Sequence, residues 1–130
     1  MPAEHGVTIL VIDDSAPVRH LIREALALEG YRVLEAADGD AGVRSYGDAR
    51  PDLVLLDMIL PGKGGAETLR EILAIDPGAA VFTLSGEEGA GSDDEAAVTL
   101  GARRGFLKPF KMEDLLAAIR EQISRRASRI

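Results

Sequence analysis

The sequence predicts an α/β protein with a doubly wound, five-stranded parallel sheet and helices on both faces. Five aliphatic segments alternate with five helical patterns from one end of the chain to the other. The clearest strand segments are continuous apolar runs, as expected for strands that are buried on both faces. A chain of 130 residues fits one domain, and right-handed crossovers at this size favour an open sheet over a closed barrel.

The first half of the chain contains three of the predicted strands. Residues 8–12 form the first strand, and the next helix has Ser15 as its N-cap, Pro17 in its first turn and Gly30 at its end. The elements that follow are a weaker strand at 31–36, a helix capped by Asp38 that reaches about Tyr46, and a strand at 53–56 that leads directly into Asp57.

The second half repeats the alternation. Its predicted elements are a turn-rich loop at 61–65, a helix that ends at Asp76–Pro77, a strand at 81–84, a Gly- and Glu-rich loop at 86–92, a short helix at 93–100, a short strand at 106–107, and a last helix from about Met112. We interpret residues 1–130 as one domain, with a loose N-terminus at 1–6 and a fraying helix end at 124–130.

Composition excludes several classes of function. A formal net charge of −7 argues against binding to nucleic acid, which relies on a basic surface. The absence of cysteine excludes disulfides, thiolate zinc sites and cysteine nucleophiles. No apolar run approaches the roughly 20 residues that span a bilayer, and the N-terminus lacks a signal-peptide pattern. We therefore expect a cytoplasmic protein that contacts neither membrane nor nucleic acid directly.

Polar residues follow four of the five predicted strands. Asp13 and Asp14 follow the first, Asp57 the third, Ser85 the fourth and Lys108 the fifth. In doubly wound sheets, ligands bind beyond the carboxyl ends of the strands. We therefore expect these side chains to meet at one edge of the sheet, although they are far apart in sequence.

The chemistry of these side chains suits phosphoryl transfer. Carboxylates held close together repel, and a hard divalent cation such as Mg²⁺ removes the conflict. Asp13 or Asp14, with Asp57 and a nearby backbone carbonyl, could form an incomplete metal shell. Asp57 would be the nucleophile, the metal and Lys108 would neutralise charge on the phosphoryl oxygens, and Ser85 would donate its hydroxyl.

Each residue also has an ordinary interpretation. The two adjacent acids could cap a helix, although Ser15 already does so. Ser85 alone would be an ordinary turn residue, and Lys108 alone would simply end a strand. A cis bond before Pro109 would direct the lysine side chain back toward the edge of the sheet. The joint occurrence of these residue types at the strand ends favours a site.

The motifs at 11–15, 52–62 with Gly65, 84–86, 101–102 and 107–110 together resemble the receiver domains of bacterial response regulators. These belong to the CheY-like superfamily of two-component signalling, and the likeness covers nearly the whole chain. The resemblance implies a flavodoxin-like fold with strand order 2-1-3-4-5. It also implies that Asp57 accepts a phosphoryl group from a sensor histidine kinase or a histidine phosphotransfer protein, and that the signal passes to an unknown downstream protein.

The resemblance assigns further roles. It implies that Mg²⁺, for which Mn²⁺ could substitute, is held by Asp14, Asp57 and the main-chain carbonyl of Ile59, with Asp13 acting mainly through a bound water. Ser85 and Lys108 would ligate the phosphoryl group. The protein would not be an enzyme beyond phosphoryl transfer to its own aspartate and autodephosphorylation.

Two departures from the family pattern concern the switch. The family usually has an aromatic residue three positions before the lysine, where this chain has Gly105. Strand alternation places the adjacent Phe106 on the opposite face, in the core. Gly105 is either a tolerated surface substitution or part of a changed readout that also involves Ser85 and Phe106. The second departure is the loop at 87–92, which is richer in glycine and slightly longer than is typical of the family. We hypothesise that this loop and the short helix after it carry the conformational change instead.

The sequence leaves alternative functions open. A pseudo-receiver would keep the fold and bind partners without phosphorylation, against which the intact acids and Lys108 speak. A phosphatase with an aspartyl nucleophile needs a second acid two residues later, where this chain has Ile59. No output domain follows the last helix, so we expect a stand-alone regulator, although an excised receiver would look the same.

Overall fold

The computed structural model describes residues 6–86, 98 and 100–128, with side chains as far as Arg126. Its elements are β1 (Thr8–Ile12), α1 (Ala16–Leu28), β2 (Arg32–Ala36), α2 (Gly39–Ala49), β3 (Leu53–Asp57), α3 (Gly65–Ile75), β4 (Val81–Ser85), β5 (Arg104–Leu107) and α4 (Met112–Ser128). The described strands form one parallel sheet in the order β2-β1-β3-β4-β5, which confirms the predicted order. The loop at 87–92 lies outside the described residues, as does the predicted helix at 93–100 except for residues 98 and 100.

The predicted helix starts are confirmed by their caps. The Ser15 hydroxyl accepts a hydrogen bond from the Val18 N–H at 3.3 Å, and the Asp38 carboxylate accepts one from the Ala41 N–H at 2.8 Å. Two element bounds were wrong. Helix α2 continues past the predicted end to Ala49, where Arg50 adopts a left-handed conformation with φ 47°. Strand β5 begins two residues early because Arg104 pairs with Phe82.

The core has two halves, one on each face of the sheet. Alternate residues of β1 serve the two halves, with Ile9 and Val11 facing one side and Leu10 and Ile12 the other. The first half is completed by side chains that include Ile22, Leu26, Phe82, Phe106, Leu115 and Ile119, and the second by side chains that include Tyr46, Leu56, Leu69 and Ile72. Since β3 and all but the first residue of β1 are buried, the residues that follow these strands are held in fixed positions.

A partly buried hydrogen bond joins the ends of α2 and α3. The Tyr46 hydroxyl donates to Asp76 Oδ2 at 2.7 Å, and only 2% of Tyr46 is exposed. Burial raises the pKa of Tyr46 to about 12, and the bond to Asp76 adds to the shift. The same bond, followed by the Gly78 N–H, lowers the pKa of the Asp76 carboxyl.

Replacement of Tyr46 by phenylalanine is expected to lower the free energy of unfolding by about 1 kcal/mol at pH 7, since it removes this bond. A carboxyl whose pKa is lowered on folding stabilises the fold above its unfolded-state pKa of about 3.9. That contribution is lost as the pH falls through the lower folded-state value. Urea unfolding of both proteins at pH 7 and below pH 3 should therefore show the difference shrinking in acid. If the stability difference between the parent and the variant is as large below pH 3 as at pH 7, the assignment is contradicted.

None of the helices in the described part of the chain is long and apolar enough to cross a membrane.

Candidate functional site

Three carboxylates meet at the carboxyl edge of the sheet. Ile12 pairs with Leu56 in the β1–β3 register, so Asp13 and Asp57 leave neighbouring strands side by side. One carboxylate oxygen from each of Asp13, Asp14 and Asp57 lies within 4.8 Å of the other two. We call these three residues the acidic cluster. The structure thus brings together the acids that the sequence analysis selected.

The acidic cluster is mostly buried and oriented by backbone donors. Asp13 is fully buried and Asp57 is 5% exposed, whereas Asp14 is exposed. Asp13 Oδ1 accepts a hydrogen bond from the Ser15 N–H at 2.9 Å, and Asp57 Oδ1 accepts one from the Ile59 N–H at 3.1 Å. These bonds fix one oxygen of each buried carboxylate and leave the other available.

Lys108 faces the remaining two oxygens. Its ammonium lies 3.4 Å from Asp13 Oδ2 and 3.5 Å from Asp57 Oδ2. Its backbone N–H donates to the Ser85 carbonyl at 2.6 Å, which ties it to the end of β4, and the bond between Lys108 and Pro109 is cis. The lysine selected from the sequence therefore lies at the acidic cluster.

The charges of the site are not balanced. Burial raises the pKa of Asp57, and repulsion from Asp13 adds to that shift, while the Ile59 N–H and Lys108 oppose it. The Lys108 ammonium contacts two of the three carboxyl groups, so an uncompensated negative charge remains when all three are ionised. Oxygen donors, partial burial and excess negative charge suit a hard divalent cation such as Mg²⁺, which takes few carboxylates and keeps several waters. The donor set fits the metal that the sequence predicts.

Two other predicted residues lie at the same edge. Ile59 comes two residues after Asp57, and its N–H donates to Asp57 Oδ1, so its main chain borders the acidic cluster. Ser85 ends β4, directly after Leu84, which is the register partner of Asp57. Metal ligation by the Ile59 carbonyl and phosphoryl ligation by Ser85 stay predictions.

Two of the predicted switch residues, Gly105 and Phe106, are neighbours in β5 and face opposite sides of the sheet. Phe106 packs in the core, with its ring centroid 5.8 Å from Phe82 and 6.2 Å from Phe110, as expected from strand alternation. Gly105 is buried opposite Thr83, so its interpretation as a tolerated surface substitution is wrong. The hypothesis that the loop at 87–92 carries the switch concerns residues outside the described ranges.

Sequence reasoning did not select Arg19, which supports the acidic cluster. Its guanidinium donates to the main-chain carbonyl of Asp13 at 2.7 Å and to Glu35 Oε1 at 3.0 Å, and only 17% of its side chain is exposed. This contact joins the β1–α1 loop to β2. The sequence gives no signal for this role, because a single arginine in a helix is common and its pairing with Glu35 depends on the folded structure.

Lys63 was also missed. It lies in the loop between β3 and α3, where its ammonium contacts Asp40 Oδ1 at 2.8 Å and Glu71 Oε1 at 2.5 Å. The bonds to these two acids raise the pKa of Lys63 and lower that of Asp40. Lys63 thereby ties the loop that carries Ile59 to α2 and α3.

Comparison with known proteins gives a consistent family. A model of the family described as the response regulator receiver domain matches residues 9–120. The phosphate regulon transcriptional regulatory protein PhoB of Pseudomonas aeruginosa is 36% identical over 124 residues, which is 92% of this chain and 53% of that protein. The sporulation initiation phosphotransferase F of Bacillus subtilis is 34% identical over 115 residues, or 88% of this chain and 92% of that protein.

Solved structures show the same fold. A response regulator receiver domain protein from Clostridium thermocellum superimposes with a TM-score of 0.86 at 32% identity, covering 95% of this chain and 99% of that one. A CheY-like receiver domain protein from Methanospirillum hungatei gives a TM-score of 0.85 at 26% identity. The chain spans about half the length of the PhoB and TcrX regulators that it matches.

Proposed function

The chain belongs to the response regulator receiver domain family, and we propose that it is a signalling switch controlled by phosphorylation of Asp57. Receiver domains are generally signalling domains of two-component systems and not enzymes. The observation that carries the proposal is the position of Asp57, a 5% exposed carboxylate within the acidic cluster and 3.5 Å from the Lys108 ammonium. Perturbed carboxyl groups beside a matched charge partner are typical of reactive sites.

The metal of this switch is proposed to be Mg²⁺, with Mn²⁺ as a substitute. Its ligands would be Asp14, Asp57 and the main-chain carbonyl of Ile59, with Asp13 acting mainly through water. When bound, such an ion neutralises charge on the transferring phosphoryl oxygens. The excess negative charge of the acidic cluster supports this assignment.

The chain's own residues then perform the transfer. An Asp57 carboxylate oxygen forms a bond to phosphorus, while the P–N bond of a phosphohistidine donor breaks and its electron pair stays with the departing imidazole. Lys108 neutralises charge on the phosphoryl oxygens, and Ser85 would donate its hydroxyl to one of them. Preorganised donors at a buried carboxylate suit this role because they need little rearrangement during reaction.

The proposed phosphodonor is a sensor histidine kinase or a histidine phosphotransfer protein, and the proposed recipient of the signal is an unidentified downstream protein. Receiver domains as a family interact with such kinases or phosphotransfer proteins. One relative of similar length is named a sporulation initiation phosphotransferase, which supports a phosphorelay role for this chain.

The second candidate is a pseudo-receiver that binds partners without phosphorylation. Gly105 favours it, because this buried position carries no aromatic side chain to report phosphorylation. The two candidates differ in one chemical property. Only the first requires Asp57 to react.

Incubation with a small acyl phosphate separates the two candidates. We expect a mass gain of one phosphoryl group with Mg²⁺ present and little gain when the metal is chelated, measured by intact-protein mass spectrometry. A folded protein with no gain in Mg²⁺ would favour the pseudo-receiver. A full gain without divalent metal would contradict the metal assignment.

Replacement of Arg19 by methionine is expected to weaken Mg²⁺ binding about tenfold, because groups that orient metal ligands contribute 10–100-fold to affinity. Arg23→Met is the matched control, since Arg23 pairs with the same Glu35 at 3.4 Å but makes no contact with Asp13 among its described interactions. Calorimetric titration with Mg²⁺ measures both affinities. Equal dissociation constants for the two variants would show that Arg19 does not position the β1–α1 loop.

A further inference from the structure

A buried amide in α4 has no hydrogen-bond partner among the residues that the structure describes. Gln122 is 5% exposed and lies on the helix face that carries Leu115, Ala118 and Ile119. Within the described ranges, no residue makes a hydrogen bond with its side chain. A buried polar group without a partner is costly, and native proteins rarely leave one so. Among the described residues, this amide is therefore available to bind another molecule.

The Gln122 side chain borders a small cavity between α4 and the sheet. The cavity has a volume of about 110 Å³, and Phe82 and Ala118 form part of its wall. A water molecule takes about 30 Å³ of liquid volume, so the cavity has room for roughly three or four waters or for one small tetrahedral ion.

The charged residues that line the cavity are mostly cationic. Arg103, Arg104 and Arg125 line it, with Glu121 as the acidic residue among them. Glu121 pairs with Arg125 at 3.2 Å. Arg103 donates to the Gly78 carbonyl at 3.2 Å, and the Arg104 guanidinium lies 5.0 Å from the ring centroid of Phe106.

Two of these positive charges are uncompensated. Among the residues that the structure describes, neither Arg103 nor Arg104 forms an ion pair with a carboxylate. These two guanidinium groups line the same cavity as the buried Gln122 amide. Arginine and amide N–H groups are donors that oxyanions accept from.

We propose that this cavity, bordered by Arg103, Arg104 and Gln122, binds a small oxyanion of the sulfate or phosphate class. The site is separate from the acidic cluster. Arg104 is the register partner of Phe82 and stands three residues before the end of β5, which is about 10 Å at the usual strand rise. Since the core residue Phe82 lines the cavity, an anion bound here would lie next to the core beside β5.

The sequence offers an unusually direct probe of this site. Gln122 is the one glutamine of the chain, and the chain has no asparagine. The side-chain amide pair in a ¹⁵N–¹H correlation spectrum therefore belongs to Gln122 without further assignment. Titration of the full chain with sodium sulfate, against sodium chloride at equal ionic strength, should shift this pair saturably in sulfate alone.

The arginines are tested with methionine variants, which add no new amide pair. The Arg103→Met/Arg104→Met variant is expected to raise the apparent dissociation constant for sulfate about tenfold, as loss of a charged hydrogen bond would. Arg120→Met removes the same type of charge from α4, but Arg120 pairs with Glu29 away from the cavity. It should bind sulfate as the parent does.

Three outcomes would overturn the proposal. In the first, the amide signals of Gln122 do not respond to sulfate, so water is the partner of this amide. In the second, chloride shifts these signals as much as sulfate does. In the third, the double variant gives a folded backbone spectrum and binds sulfate as tightly as the parent. If the double variant fails to fold, the single variants Arg103→Met and Arg104→Met serve the same comparison.

Discussion

Asp57→Asn is expected to lower phosphoryl uptake by at least about a thousandfold, since removal of a nucleophile costs this much or more in enzymes. Asparagine keeps the size and the acceptor for the Ile59 N–H, but its amide cannot form a stable acyl phosphate. Uptake from a small acyl phosphate in Mg²⁺, followed by intact mass, measures the loss. The control is Asp52→Asn, because Asp52 lies at the other end of β3, where its carboxylate accepts from the Thr8 N–H. It should take up phosphoryl groups as the parent does.

The same variant has a second expected effect, on stability without metal. Burial raises the pKa of Asp57 on folding, so its charged form disfavours the fold once the pH exceeds the folded-state pKa. With a chelator at pH 7, Asp57→Asn should therefore unfold at a higher denaturant concentration than the parent. The difference should vanish in acid, where Asp57 is neutral, and saturating Mg²⁺ should stabilise the parent more than the variant. Lower stability of the variant in chelator at pH 7 would contradict the burial argument.

The second large effect is expected for Gly65→Ala. Gly65 is the first residue of α3, and its N–H donates to the Met58 carbonyl at 3.2 Å. A β-carbon there would overlap the Met58 α-carbon and lie 2.8 Å from its carbonyl oxygen. Because those atoms belong to backbone, they cannot rotate away. We expect a loss of about 2 kcal/mol in the free energy of unfolding, as for other overpacked sites.

The loss should extend to metal binding, since Met58 stands between Asp57 and Ile59. Gly64→Ala is the neighbouring control, because a β-carbon at Gly64 has no atom within 4 Å and the φ of −76° suits alanine. Its expected cost is under about 1 kcal/mol, as for a weakened N-cap. Urea unfolding and Mg²⁺ titration compare the two variants. If both variants show the same loss of unfolding free energy and of Mg²⁺ affinity, the close contact between α3 and the Met58 backbone does not determine either property.

Much of this fold could be predicted from local pattern. The segments of β1 and β3 are continuously apolar because both faces of the sheet are covered. The ends of these apolar runs therefore predicted the positions of Asp13 and Asp57. Ser15 and Asp38 marked helix starts through short-range capping bonds. The weaker predictions concerned ends set by tertiary pairing, such as Arg50 after α2 and Arg104 in β5.

The supporting residues of the site could not be predicted in the same way. Arg19 matters through a carbonyl six residues earlier and a carboxylate on β2, and Lys63 through acids on two different helices. The sequence spacing of these partners follows neither the helix repeat nor the strand repeat, so a pattern search does not find them. Gln122 left a visible signal, since a polar residue three positions after Ile119 interrupts the apolar face of α4.

The most direct test of the proposed chemistry is to locate the phosphoryl group. Borohydride reduces an aspartyl phosphate to homoserine, so the phosphorylated protein is reduced, digested and sequenced by tandem mass spectrometry. We predict homoserine at position 57, formed when Mg²⁺ is present and absent when the metal is chelated. An unmodified Asp57, with the phosphoryl group on another residue, would contradict the account.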